Sequence, residues 1–516
     1  MKVGLISLGC PKNLVDSEVM LGLTQQAGHE LTSDAADAEV LVVNTCAFID
    51  RAKQESIDTI LEMAQHKKDG ACRRLIVTGC LAERYREELK KEIPEIDAVL
   101  GTGEVPQIVG AIGGNIVAPL TFYGARGSTR SPRAEEDTLA LSLSKGELPG
   151  STSSPQAEED TLALSLSKGE LPSSTSSPRA EEDTLALSLS KGELPTYIYD
   201  AETPRLMATP KHYAYVKIAE GCDYKCAFCI IPTLRGHYRS RPAESIVREA
   251  RALAARGVKE LMLISQDTTF YGIDRGERGA LARLLRELNG IDGLEWIRLL
   301  YLYPTTIDEH TLAAMADCEK VCKYIDLPLQ HASNAVLKRM KRPGTRQAYD
   351  KLLSRIRSRV PGVALRTTFI VGFPGETDVD MEELCSFVGD HAFDHVGVFT
   401  YSHEEGTSAF AFDDDVPSKT KAARRNRVMS LQRRLVKHRQ RGRIGERARI
   451  LIEGPSSEHD LVLRGRLATQ APDIDASVFL TECDPSAFRS GDFVEVEIVG
   501  ARDYDLIARP AAQPPA

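Results

Sequence analysis

The segment "EGCDYKCAFCIIP", residues 220–232, sets Cys222, Cys226 and Cys229 within eight positions. Thiolates this close invite a metal, but a structural zinc site takes four ligands, and the segment holds no fourth Cys or His. A [4Fe–4S] cluster has four irons, so three cysteines can hold it and leave one iron open to a substrate or cofactor. The competing reading is three ordinary buried thiols. Gly221, Asp223 and Lys225, interleaved with the cysteines, do not make a core stripe.

A second trio is dispersed in sequence but uniform in context. "VGLISLGC" ends at Cys10, "EVLVVNTC" at Cys46 and "RLIVTGC" at Cys80. Each closes a short apolar run, and helical stretches such as "DSEVMLGLTQQAG" and "ESIDTILEMAQHK" separate the runs. Apolar runs alternating with helices predict a parallel α/β sheet, whose strand C-termini lie along one edge. Three thiols could meet there, although three separate core cysteines would give the same pattern. Cys72, Cys318, Cys322, Cys385 and Cys483 are read as structural.

The spacing C-x3-C-x2-C, with Phe228 just before the last cysteine, resembles the radical S-adenosylmethionine enzymes. "SLGCPKNLVDSE", "NTCAF" and "TGC" narrow the resemblance to the methylthiotransferases. It implies two [4Fe–4S] clusters, an auxiliary one on Cys10, Cys46 and Cys80 and a radical one on Cys222, Cys226 and Cys229. It also implies that S-adenosylmethionine chelates the open iron of the second, and that an electron from that cluster cleaves it to a 5′-deoxyadenosyl radical. The cofactor does the hard chemistry and the protein positions it. By the same resemblance Phe228 packs near the adenine, and Gln266, Asp267 and Gly372 contribute to the cofactor site. The fifth-strand pattern G-x-I-x-G-x-x-E is only partly kept: Ile370 and Gly372 fit, Thr368 replaces the first Gly, and Glu376 falls one position late. His331 is read as a hydrogen-bonded rim or core histidine, with proton carriage as the alternative.

These side chains require an α/β multidomain frame. Residues 1–123 are expected to form the parallel α/β domain of the auxiliary cluster. A linker follows over 124–206, in which "RAEEDTLALSLSKGELP" starts at Arg133, Gln156 (as "QAEEDTLALSLSKGELP") and Arg179. Near-identical repeats joined by Ser/Pro segments, with no aromatic residue, predict disorder. Over 207–418 the runs "YAYVKIAE", "ELMLISQD", "WIRLLYLY", "YIDLPLQ", "LRTTFIVGF" and "HVGVFTY" predict an incomplete (βα)6 barrel with its chemistry at the C-terminal mouth. A basic helical connector over 419–444 carries eleven Lys or Arg up to Arg443 and no acid. Residues 445–512, with "RARILIEG", "ASVFLTE" and "DFVEVEIVG", resemble the TRAM module, a small antiparallel β-barrel.

The resemblance implies an enzyme that replaces C–H by C–S–CH3, a change no side-chain base can achieve. "SLGCPKNLVDSE" and "LPLQHAS" point to the branch that modifies the β-carbon of an aspartate in ribosomal protein uS12. Relatives that act on tRNA adenosine typically carry Gln-Met-Asn after the Gly-Cys, and they are the alternative. A non-catalytic iron–sulfur RNA-binding scaffold is a third reading. The C-terminal module carries 13 acids against 7 Arg, so it suits a basic protein better than RNA, whereas the connector leaves ribosomal RNA contact open. An electron donor such as flavodoxin or ferredoxin and a sulfur donor are implied partners. Absence of any long apolar run excludes a membrane span. Eleven cysteines, an odd number, with no export signal, place the chain in the cytoplasm.

Overall fold

The computed structural model describes residues 1–113, 194–457, 459 and 461–511. The 23-residue repeats lie outside the described residues, as does the expected boundary at 123.

The N-terminal strands β1 (Lys2–Ser7), β2 (Glu30–Thr32), β3 (Val40–Thr45), β4 (Arg74–Gly79) and β5 (Ile96–Leu100) form one parallel sheet in the order β2-β1-β3-β4-β5. β3 is buried at every position because both of its faces are covered. Val40 and Val42 pack with Val15 and Val19 of helix Pro11–Gln26, while Leu41 and Val43 pack with Ile60 and Met63 of helix Asp50–Asp69. The register sets Ser7 beside Asn44 and Asn44 beside Thr78, so β1, β3 and β4 end level.

The central domain opens with β6 (Tyr213–Lys217), followed by a flap of β7 (Ala219–Glu220) and β8 (Arg239–Ser240). β9 (Glu260–Ile264), β10 (Trp296–Leu299), β11 (Tyr324–Asp326), β12 (Ala364–Val371) and β13 (His395–Thr400) continue it. Two three-stranded parallel sheets, β6-β9-β10 and β11-β12-β13, join through a bridge between Ile297 and Val321. The result is the open six-stranded barrel the sequence predicts.

Helix Ser418–Gly442 lies on the barrel with Val428 fully buried and Leu431 and Leu435 packed beside it. Much of its positive charge is already paired, Arg424 with Glu376 and Asp378, Arg427 with Glu382, and Arg439 with Asp394. The last domain is a closed barrel of β14 (Arg447–Pro455), β15 (Leu463–Leu467), β16 (Val478–Leu480), β17 (Phe493–Arg502) and β18 (Asp505–Pro510). β15 and β18 were not anticipated, and β16 pairs with β18 in parallel. β15 is hard to recognise because Arg466, on the face opposite the barrel-core Leu463 and Leu467, is 1% exposed, buried against Glu453 and against Glu260 of the central domain.

The segment 194–206, assigned to the linker by sequence, is packed. Tyr199 is 3% exposed, stacks under Arg241 and donates its hydroxyl to Glu249, while Arg205 bridges Glu18 and Glu249. One apolar cluster draws on all three domains, with Val15 and Val19, Tyr213 and Trp296, and Leu451 and Ala471. The sheet domain is therefore docked on the barrel, not tethered beside it.

Candidate metal centres

Level strand ends bring the first trio to one edge. Cys10 precedes helix Pro11–Gln26, Cys46 follows β3, and Cys80 opens helix Cys80–Arg84. Gly9 has φ +88°, and a Cβ there would lie 3.1 Å from Cys46 Sγ, so only glycine lets the loop before Cys10 approach Cys46. Asn13 ties the three loops together. Its amide donates to the carbonyls of Leu8 (3.1 Å) and Thr45 (2.7 Å), and its Oδ1 accepts from Arg235 and faces Cys80 Sγ at 3.8 Å. Burial, with Cys80 and Cys10 adding to it, pushes the Cys46 thiol up to about 12.

The second trio lies in the segment between the flap strands β7 and β8. Gly221 has φ +88°, and a Cβ would fall 2.0 Å from the His237 carbonyl oxygen. Cys222 N–H donates to Gly236 O (3.0 Å), Ala227 N–H to Met340 O (2.8 Å) and Cys229 N–H to Cys226 O (3.1 Å). Cys226 Sγ lies 3.7 Å from Arg342 Nη1 and 3.9 Å from the Tyr303 hydroxyl. Burial and then Cys226 push Cys229 up to about 12, and burial above all raises Cys222 to about 11.

Among the described residues no three His, Cys, Asp or Glu side chains converge closely enough to hold one metal ion. A four-iron cluster does not ask for that, since its cysteines bind different irons. The donor set fits such a group: buried thiols that oppose one another's ionisation are those whose deprotonation a bound cation makes favourable. Arg235 beside Cys80 and Arg342 beside Cys226 would hold an anionic cluster in place.

Both trios face the same end of the barrel. In the loop after β10, Tyr301 lies under the Lys12 ammonium, 2.9 Å from the ring centre, and Tyr303 reaches Cys226. Two residues of chain, roughly 7 Å at full extension, separate them. A buried charge network crosses the same junction. Asp16 of the sheet domain accepts from Lys217 (2.6 Å) and Arg235 (2.7 Å), and these also meet Glu220 at 2.5 and 3.4 Å. Burial resists ionisation of Glu220, but Lys217 and then Arg235 outweigh it and hold its carboxyl at about 2. Arg235 Nη2 is 3.6 Å from Cys80 Sγ, so the network that precedes Cys222 ends on the other trio. Glu404 adds a second clamp to Arg84 (2.7 Å) and Lys53 (2.8 Å).

The remaining predicted residues divide. Phe228 is half-buried against the cluster of Ala227, Val336 and Phe373, beside the second trio. Gln266 donates to Glu220 (2.5 Å), while its buried Oε1 has no hydrogen-bond partner and remains available. Asp267 is saturated, accepting from Thr269 and Phe270 of its own loop, from Tyr224 within the second cysteine segment and from Thr306 of the loop after β10. Gly372 N–H is taken by the Glu376 carboxylate (2.9 Å), which also meets Arg424. His331 is fully buried and accepts the Ser333 N–H at Nδ1. Sequence reasoning missed Lys12, Asn13, Asp16, Glu220, Arg235, Tyr301, Tyr303 and Arg342. Their only signal was nearness to the cysteine motifs, as in "CPKNLVD" and "AEGC".

Family models match along the chain: uncharacterized protein family UPF0004 at residues 2–101, the radical SAM superfamily at 216–388 and the TRAM domain at 444–510. A ribosomal protein uS12 methylthiotransferase RimO from Koribacter versatilis is 47% identical over 98% of this chain and 96% of its own length. The protein of that name from Solibacter usitatus is 44% identical over 98% and 94%. Among solved structures, the radical S-adenosylmethionine methyltransferase TsrM from Kitasatospora setae aligns at 16% identity over 77% of this chain and 72% of that one, with a TM-score of 0.47.

Proposed function

The chain belongs to the RimO family of ribosomal protein uS12 methylthiotransferases, and from that membership we propose that it methylthiolates the β-carbon of an aspartate in uS12. It is a radical S-adenosylmethionine enzyme built from the sheet, barrel and TRAM domains of that family. The observation that carries the reading is the shared position of the two trios, with Tyr301 beside Lys12 and Tyr303 against Cys226. A substrate carbon held there is within reach of both.

In this reading Cys10, Cys46 and Cys80 hold the auxiliary cluster, and Cys222, Cys226 and Cys229 the radical one. Bound clusters and S-adenosylmethionine supply the carbon-centred radical and the methylated sulfur. The protein supplies position. Asn13 fixes the loops of the first trio, and the Gly221 turn and the Cys222–Gly236 hydrogen bond fix the start of the second. Phe228 and the free Oε1 of Gln266 face the cofactor; Asp267 and Gly372 shape its rim through their own loops. The Asp16–Lys217–Glu220–Arg235 network holds the two domains so that neither trio drifts from the other. Burial of these side chains shields the junction from solvent, which would protect a radical from quenching. An electron donor and a sulfur donor complete the cycle, and the basic helix Ser418–Gly442 offers ribosomal RNA a contact, while the acidic TRAM module suits the basic protein substrate.

Anaerobic incubation of reconstituted enzyme with uS12 and with tRNA, followed by mass spectrometry, tests the substrate. A gain of one methylthio group on uS12 is expected, and modification of tRNA alone overturns the reading. For the sites, replacing Cys222, Cys226 and Cys229 by Ala should leave about half the iron, one cluster of two, and abolish 5′-deoxyadenosine. The Cys10/Cys46/Cys80 variant should still cleave S-adenosylmethionine and transfer no methylthio group. Full iron in either variant would refute the ligand assignment.

A further inference from the structure

Cations near the two trios are nearly all committed. Arg235 is spent on Asp16, Glu220 and Asn13, and Lys217 on Asp16 and Glu220. Arg366 pairs with Asp326 and Asp475, and Arg342 lies over the Tyr303 ring and donates to Pro328 O. Lys12 differs. It is only 8% exposed, yet its ammonium makes no hydrogen bond or ion pair with any described residue. Its close neighbour is the face of Tyr301, which attracts a cation but accepts none of its three N–H groups in the way an oxygen does. An ammonium on a largely buried side chain with only a ring face against it is costly, and an anion that supplies an acceptor relieves that cost.

The surface beneath it is also held under strain. Tyr301 has φ +61°, a left-handed conformation unusual for an aromatic residue, and its N–H is pinned to Asp326 Oδ2 at 3.0 Å. Strain kept in place by a hydrogen bond marks a surface shaped for an occupant. Lys12 follows Cys10 by two positions, and the loop under it reaches Cys226 two residues later. An anion on Lys12 therefore sits between the trios.

We propose that Lys12 receives the side-chain carboxylate of the substrate aspartate and so sets its β-carbon between the two cysteine trios. This rests on the uS12 reading above. The carboxylate brings the acceptor that Lys12 lacks, and Lys12 supplies the partner without which a carboxylate would not enter a buried site. Asparagine is nearly the same size but carries no charge, so Lys12 selects Asp over Asn.

The test is fluorescence anisotropy, under anaerobic conditions, with reconstituted holoenzyme and two labelled peptides spanning the modified uS12 segment, one with Asp and one with Asn at the target. Wild type is expected to prefer the Asp peptide by about tenfold or more, the scale of a charged hydrogen bond. Lys12→Met should bind both equally, at the wild-type affinity for Asn, with full iron per chain. Lys12→Arg, which keeps the charge in another shape, should retain part of the preference. Undiminished Asp preference in Lys12→Met overturns the proposal, as does loss of iron in Lys12→Met together with no preference in Lys12→Arg, which would make Lys12 a support of the auxiliary site. Wild type that leaves uS12 unmodified refutes the uS12 reading itself, whereas modification of uS12 with discrimination intact in Lys12→Met refutes only the role of Lys12.

Discussion

Replacing Asp16 by Ala strikes the junction on which the geometry of both trios depends. Asp16 holds Lys217 at 2.6 Å and Arg235 at 2.7 Å, with all three side chains buried. Two charge-assisted hydrogen bonds are lost, each worth about 1.5–3 kcal/mol, which sums to roughly 3–6 kcal/mol. Relief of the Asp16 desolvation cost returns some of this. Two buried cations then share Glu220 alone, and breaking one side of such an assembly costs about 3–5 kcal/mol. The assay is urea unfolding of the reduced apoprotein, followed by circular dichroism and by Trp296, the chain's single tryptophan, which lies in the apolar cluster shared by the three domains. A double-mutant cycle with Lys217→Met isolates the pair, and the two changes together should be less harmful than their sum by about 1–3 kcal/mol. A loss below about 1 kcal/mol for Asp16→Ala, or additivity within about 0.5 kcal/mol, would refute the view that this network fixes the domains.

Gly221→Ala forces a Cβ onto the His237 carbonyl at 2.0 Å, so the turn before Cys222 must move. About half the iron, one cluster of two, should be lost, and 5′-deoxyadenosine formation with it, as measured by iron assay and chromatography. His212 gives a pH signature. Burial, then Arg466, lowers its imidazole from 6.5 to about 4 in the folded chain, so the unfolded chain takes up the proton first. Stability is full above about pH 6.5, falls as the pH drops toward 4 by at most about 3 kcal/mol, and then levels; His212→Asn should flatten that limb of urea midpoint against pH. Deleting residues 131–193 should leave turnover within a few-fold, while Tyr199→Ala, which empties a buried site and removes the hydroxyl donated to Glu249, should destabilise by about 3–5 kcal/mol in the same urea assay.

The six cysteines could be nominated as cluster ligands from sequence because their signal is local. C-x3-C-x2-C lies within eight residues, and each Gly-Cys or Thr-Cys closes an apolar run that can only be a buried strand. The shared edge of the strand ends needed no structure either, because parallel runs must end along one edge, whereas the order β2-β1-β3-β4-β5 came from the fold. The six barrel strands were recognisable for the same reason, being apolar runs set between helices. What escaped were elements whose side chains contradict their pattern. β15 carries an Arg466 that is buried against Glu260 of another domain, and the packed segment with Tyr199 and Arg205 reads as the end of a linker because its partners, Glu18 and Glu249, lie far away in sequence.

By itself, then, the sequence determined the three-part α/β, barrel and β-barrel architecture and nominated the cysteines proposed as donors, since these follow from neighbours in the chain. Tertiary structure alone decided which charges meet. Asp16 and Arg235 are 219 residues apart, and Lys12 and Tyr301 come from different domains. A buried ion pair or an unpaired ammonium is a property of desolvation and distance, which only the packed fold sets. The residues that hold the trios in register, and the contact of Lys12 with the face of Tyr301, therefore emerged only when the domains were seen together.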